Sequence, residues 1–137
     1  MAKSKQRTGL ESATVLVADD DLEILSLIRQ HLAQLGTHVL ETSDGEEALE
    51  LVAQQKPDLV LLDVMMPGRS GWEICKAIRE SLDLGDIGVI MLTGIGANLN
   101  AMTSPLYGAD AFLDKPFDLH ALERTMRQVL ASRRAGE

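Results

Sequence analysis

Four short apolar runs in this chain each stop at a residue able to do chemistry, and the stretches between them are long enough for at least one helix each. Residues 13–18 lead into Asp19 and Asp20, residues 59–62 into Asp63, residues 89–92 into Thr93, and residues 111–113 into Asp114 and Lys115. Brief, continuously apolar runs suit parallel strands covered on both faces. Parallel neighbours need a crossover, usually a helix, and such crossovers are right-handed. The pattern therefore predicts an α/β chain, a five-stranded parallel sheet built from five βα units with helices on both faces. In such an open sheet the carboxyl ends of all strands share one edge, which is where ligands bind.

The intervening stretches fit this reading. Leu25, Ile28, Leu32 and Leu35 recur at helical spacing over residues 22–35, and Gly36 is a suitable stop. Residues 37–42 are the second strand candidate. Ser43 or Asp44 can cap a helix that reaches about Gln55, with Glu46 or Glu47 three residues on. Pro57 breaks that helix, and residues 58–62 form the third strand. Pro67, Gly68 and Gly71 mark a loop, followed by a helix over residues 71–81 with Trp72, Cys75 and Ile78 inward. Residues 87–92 are the fourth strand and 110–114 the fifth. Residues 98–107 make a weak helix, because Pro105 lies inside it. Asp118 caps a last helix with Leu119, Leu122, Met126, Val129 and Leu130 on one stripe, and Arg133 and Arg134 complement its dipole.

A length of 137 residues, 45% of them hydrophobic, supports one domain with a sizeable core. A formal net charge of −8 argues against a phosphate-backbone partner, so no direct nucleic-acid contact is expected. A single cysteine excludes an internal disulfide, and its helical spacing among apolar residues makes Cys75 a core thiol. No apolar stretch approaches the ~20 residues a membrane span needs, and no apolar segment follows the basic N-terminus, so a cytoplasmic location and no membrane contact are expected. Residues 1–13 read as a flexible extension, 14–134 as the domain and 135–137 as a tail.

Asp19, Asp20 and Asp21 are consecutive at the first strand end. Like charges so close raise one another's pKa unless a cation offsets them. Mg²⁺ takes oxygen ligands, typically one or two carboxylates with water and phosphate, and Asp63 on the neighbouring strand can join them. One helix cap needs one side chain, so Asp21 is assigned as cap and Asp19 and Asp20 to the cation. A carboxylate such as Asp63 can attack phosphorus and form an acyl phosphate. Such a transfer needs its equatorial oxygens neutralised, which a cation, Lys115 and the Thr93 hydroxyl can do. Gly94 lets backbone and phosphate approach closely.

With Asp19-Asp20, Asp63-Val64-Met65-Met66-Pro67-Gly68, Met91-Leu92-Thr93-Gly94 and Lys115-Pro116-Phe117 in this order, the chain resembles the receiver domain of bacterial two-component response regulators, over about residues 14–134. The likeness is to stand-alone, chemotaxis-type members, and no effector domain is seen, so the chain is either such a receiver or part of a longer protein. The resemblance implies a flavodoxin-like doubly wound fold with strand order 2-1-3-4-5. It implies a phosphorylation-dependent signalling module rather than an enzyme: Asp63 as phosphoacceptor, with only self-catalysed acceptance and slow self-dephosphorylation. Asp19, Asp20, Asp63 and the Met65 main-chain carbonyl are then the ligands of Mg²⁺, or of Mn²⁺. Thr93 is the switch hydroxyl, Lys115 its ionic partner, and Phe112 either a rotating switch aromatic or a static core ring. A cis bond before Pro116 is also implied. The implied partners are a sensor histidine kinase or phosphotransfer protein as donor, and a target protein on the face of the fourth helix, fifth strand and last helix. The alternatives fit less well. An aspartate-nucleophile phosphatase of haloacid-dehalogenase type needs an acid where Met65 stands and normally carries a cap insertion. A flavodoxin-like flavin binder needs a Gly/Ser/Thr phosphate loop where three acids stand.

Overall fold

The alternation of apolar runs becomes a sheet that splits the core in two. In the computed structural model, which describes residues 9–94 and 108–135, the strands are β1 (Thr14–Ala18), β2 (His38–Thr42), β3 (Leu59–Asp63), β4 (Gly88–Thr93) and β5 (Ala111–Asp114). The helices are α1 (Leu22–Gln34), α2 (Gly45–Gln55), α3 (Gly71–Glu80) and α4 (Leu119–Ala135). All strand pairs are parallel, in the order β2-β1-β3-β4-β5. The predicted fold class and strand order are met. The helix expected over residues 98–107, and the loop from Ile95, lie outside the described residues.

Strand side chains alternate between faces. Val15, Val17, Leu59, Leu61, Ile90 and Leu92 meet Leu25, Ile28 and Leu32 of α1 and Leu122, Met126 and Leu130 of α4. Leu16, Ala18, Val60, Leu62, Val89 and Met91 meet Ala48 and Val52 of α2 and Ile74 and Ile78 of α3. Every residue of β3 and β4 is buried, which is why these runs show no polar alternation. Cys75 is buried in the second layer, and burial pushes its thiol up to about 11, as a core thiol requires.

The ends of the elements follow local chemistry. Asp21 accepts from the Glu23 and Ile24 amides and caps α1, as expected. Gly36, at φ 85°, ends it. Asp44 caps α2 through the Glu47 amide. The Glu47 carboxylate turns to the Thr42 hydroxyl instead of closing a reciprocal box. That box forms one helix later, between Ser70 and Glu73 at the start of α3. The N-terminal stretch differs from expectation. A 3₁₀ turn, Leu10–Ser12, buries Leu10 completely against the α1–α4 layer, and the Thr37 hydroxyl donates to the Leu10 carbonyl at 2.7 Å. Residues 9–13 thus belong to the packed fold.

Candidate functional site

The strand order reverses between β1 and β3, so the crevice at the carboxyl edge opens between these two strands. Asp19 follows β1 and Asp63 ends β3. Carboxylate oxygens of Asp19, Asp20 and Asp63 all come within 4.8 Å of one another. Asp19 is fully buried and Asp63 nearly so, while Asp20 is exposed. Asp19 is oriented by the Asp21 amide, which donates to its Oδ1 at 2.9 Å.

Lys115, at the end of β5, reaches across to this pair. Its Nζ lies 2.9 Å from Asp19 Oδ2 and 3.4 Å from Asp63 Oδ1. Burial opposes the ammonium, yet the hydrogen bonds and charges of the two carboxylates outweigh it and hold its pKa above the usual lysine value. Asp63 is pushed up to about 6. Burial is the main cause and Asp19 repulsion the next, with Lys115 and the Met65 amide opposing them and Asp20 adding to them. One ammonium does not balance three crowded carboxylates, and an all-oxygen donor set of this charge fits a hard divalent cation.

Thr93 ends β4, buried, with its carbonyl accepting from the Lys115 amide at 2.7 Å. The same stretch holds the cis Lys115–Pro116 bond that the resemblance implied. A Cβ built on Gly94 meets no atom of the described residues within 4 Å. Phe112 is half-buried against the α2–α3 layer. Met65 projects its side chain to solvent with 69% exposure, so position 65 offers Asp63 its amide, at 3.4 Å, and no polar side chain. The structure thus gathers Asp19, Asp20, Asp63 and Lys115, with Thr93 at the adjacent strand end, and leaves Asp21 as a cap.

Two features were not read from the sequence. Gly71 opens α3 against the loop that follows Asp63: a Cβ there would stand 2.3 Å from the Asp63 carbonyl oxygen, and the Gly71 amide donates to the Val64 carbonyl at 3.0 Å. The glycine was seen only as a loop marker. The second is an apolar groove of about 170 Å³ beside Lys115, lined by Ile24, Leu27 and Ile28 of α1 and by Pro116, Phe117 and Leu119. Leu22 and Leu27 are 69% and 51% exposed, off the buried stripe of their helix. That misplacement was a signal available in the sequence.

Comparison with known proteins agrees with this geometry. The family model described as the response regulator receiver domain matches residues 15–127. Among curated relatives, the chain is 40% identical over 116 residues to "Probable transcriptional regulator ycf27" of Guillardia theta, covering 85% of this chain and 44% of that protein. It is 39% identical over 116 residues to response regulator MprA of Mycolicibacterium vanbaalenii, covering 85% and 49%. The chain spans about half the length of such relatives. Among solved structures, chemotaxis response regulator CheY4 of Vibrio cholerae superposes with a TM-score of 0.80 at 31% identity, covering 85% of this chain and 98% of that one. The receiver domain of Francisella response regulator 1452 gives 0.79 at 30%, covering 89% and 98%.

Proposed function

The chain belongs to the response regulator receiver domain family, and from that premise we propose that Asp63 accepts a phosphoryl group from a phosphohistidine donor and that the change is read by a protein target. A receiver is a signalling module of a two-component system. The finer roles rest on one observation above all. Asp63, a buried carboxylate at the end of β3, stands beside Asp19, Asp20 and Lys115.

In the proposed transfer an Asp63 carboxylate oxygen attacks phosphorus. The phosphorus–oxygen bond forms as the phosphorus–nitrogen bond of the donor breaks, and the leaving imidazole keeps the electron pair and takes up a proton. Lys115, already held as an ammonium by Asp19, neutralises one phosphoryl oxygen. Mg²⁺ or Mn²⁺, when bound by Asp19, Asp20, Asp63 and the Met65 carbonyl, supplies charge neutralisation for the phosphoryl oxygens. Phosphorylation adds roughly −1.5 to −2 charge. The Thr93 hydroxyl gains a charge-assisted hydrogen bond only in that state, which biases two conformations, and Phe112 follows Thr93 as the switch aromatic. The target face is assigned to β5, α4 and the segment between Gly94 and Gly108.

The donor is a sensor histidine kinase or a phosphotransfer protein. The apolar groove beside Lys115, with exposed Leu22 and Leu27 at its margin, suits a protein donor that must bring its imidazole to Asp63. The receiver is assigned to residues 14–134, with residues 9–13 packed onto it, and a cytoplasmic location is proposed. No helix among the described residues is long and apolar enough to cross a membrane. The transcriptional role named for ycf27 is that of a protein about twice as long as this chain, and the readout proposed for this receiver is a protein contact.

Incubation with acetyl phosphate and Mg²⁺ followed by intact mass measurement tests the reading. The wild type should gain one phosphoryl group and Asp63→Ala none. A wild type left unmodified by small donors and by histidine kinases would sink it.

A further inference from the structure

The acceptor loop, residues 64–70, is held in place by a helix that supplies none of the cation's ligands. We propose that the start of α2 fixes this loop in its cation-binding position, with Gly45 as the positioning residue. The inference rests on the cation site proposed above, to which the loop contributes the Met65 carbonyl. The first amides of a helix have no partner within it. In α2 the Asp44 carboxylate satisfies the Glu47 amide at 2.9 Å, while the Gly45 amide donates out of the helix to the Pro67 carbonyl at 2.9 Å. The same carbonyl accepts from the Arg69 amide at 3.1 Å. One oxygen thus sets both the turn of the loop and its distance from α2.

The contact is backbone on backbone. A Cβ on Gly45 would stand 2.1 Å from the Arg69 carbonyl oxygen and 2.5 Å from its nitrogen. Main-chain atoms cannot rotate aside as a side-chain end can, so a side chain at position 45 displaces the loop. From the other side, Gly68 has a φ of 87°, and a Cβ there would stand 3.0 Å from Asp44 Oδ1 and 3.2 Å from the Glu46 nitrogen. The same helix start is tied to the other half of the site. The Asp44 amide donates to the Thr42 hydroxyl oxygen at 3.2 Å, and the Thr42 carbonyl accepts from the Asp19 amide at 3.1 Å. Asp19, Thr42, Asp44, Gly45 and Pro67 therefore form one continuous strut from the buried carboxylate after β1 to the loop after β3. It sets the separation of the ligands that the two strands supply, and losing such outer support costs about 10- to 100-fold in metal affinity. The exposed Arg69–Glu46 pair, at 3.2 Å, latches the outside of the loop and contributes little.

Calorimetric titration of the full chain with Mg²⁺ tests the assignment. Gly45→Ala should bind Mg²⁺ about tenfold more weakly than wild type. Val52→Ala, a core truncation in the same helix, should lose stability in urea yet keep wild-type affinity for the ion. Gly68→Ala presses on the same contact more gently, should weaken binding in the same direction, and takes the place of Gly45→Ala if that variant does not fold. Wild-type affinity in a folded Gly45→Ala, or in Gly68→Ala where Gly45→Ala does not fold, would overturn the inference. So would a fall in Val52→Ala as large as that in the glycine variant. Both results leave the cation site itself standing, whereas a wild type that takes up no Mg²⁺ would sink that site and this inference with it.

Discussion

Asp63 must be buried, ionised and next to two other carboxylates, and these demands conflict in the metal-free protein. Its pKa of about 6 lies above the ordinary carboxylate value, so the folded state prefers the protonated form. The sign follows by linkage. Stability from this group is fully present below the unfolded pKa near 4 and is lost as pH rises through about 6, a loss on the order of 2 kcal/mol. Asp63→Asn removes the conflict. In EDTA it should be more stable than wild type at pH 7.5 by about 2 kcal/mol, with the gap closing near pH 4 and shrinking at pH 7.5 when Mg²⁺ is added. Urea denaturation of both proteins checks this, and a gap independent of pH would contradict it. Met65 sets a separate property. A thioether cannot orient an attacking water by hydrogen bonding. Met65→Asn and Met65→Glu should therefore lose the phosphoryl group faster than wild type, a comparison made by following phosphoprotein decay after the donor is removed. Equal decay rates would remove Met65 from the account.

At the scale of elements, the acceptor loop depends on how closely α3 can approach β3. Gly71 allows that approach, because any Cβ would collide with the Asp63 carbonyl oxygen at 2.3 Å and with Met91 Cε at 2.9 Å. Both groups lie in the packed interior, so neither yields cheaply. Gly71→Ala should cost about 3 kcal/mol in denaturant unfolding and slow phosphoryl acceptance, since relief of the clash displaces Asp63 itself. Unchanged stability would show that the helix start can shift freely. The contrast between Gly71 and the strands explains what could be read in advance. Strands β1, β3 and β4 announce themselves by local runs of apolar residues, and their terminal acids by position. The helix faces follow from spacing, and the Asp21 and Asp44 caps from residue type. Gly71 looks like any loop glycine until its neighbour in space is known. Leu10 gives no periodic signal, being one apolar residue in a polar stretch, and only its burial beside Thr37 reveals it. The His31–Glu123 contact, across 92 residues, is likewise invisible in one dimension.

Over the whole molecule, the two edges of the sheet are built on opposite principles. The carboxyl edge concentrates like charges around a single lysine. The amino edge pairs its charges. Asp110 accepts from Arg79 and from both Nε and Nη2 of Arg133, and also from the Val89 amide at the start of β4. Arg79 donates further to the carbonyls of Gly108 and Ile87, each at 2.7 Å. On the same edge Asp58 accepts from Arg134 and from the Thr14 amide. This network ties α3, β4, β5 and α4 together at the edge of the sheet opposite Asp63. Removing the network should therefore cost stability and spare the chemistry. Asp110→Ala leaves two guanidiniums and an amide without their acceptor in a partly exposed setting, for a loss of about 2 kcal/mol after allowing for solvent screening. Its rate of phosphoryl acceptance from acetyl phosphate at a temperature where it stays folded should match wild type. Denaturant unfolding and intact mass time courses on the same sample measure both quantities, and a fall in acceptance equal to that in Gly71→Ala would show the two edges to be coupled.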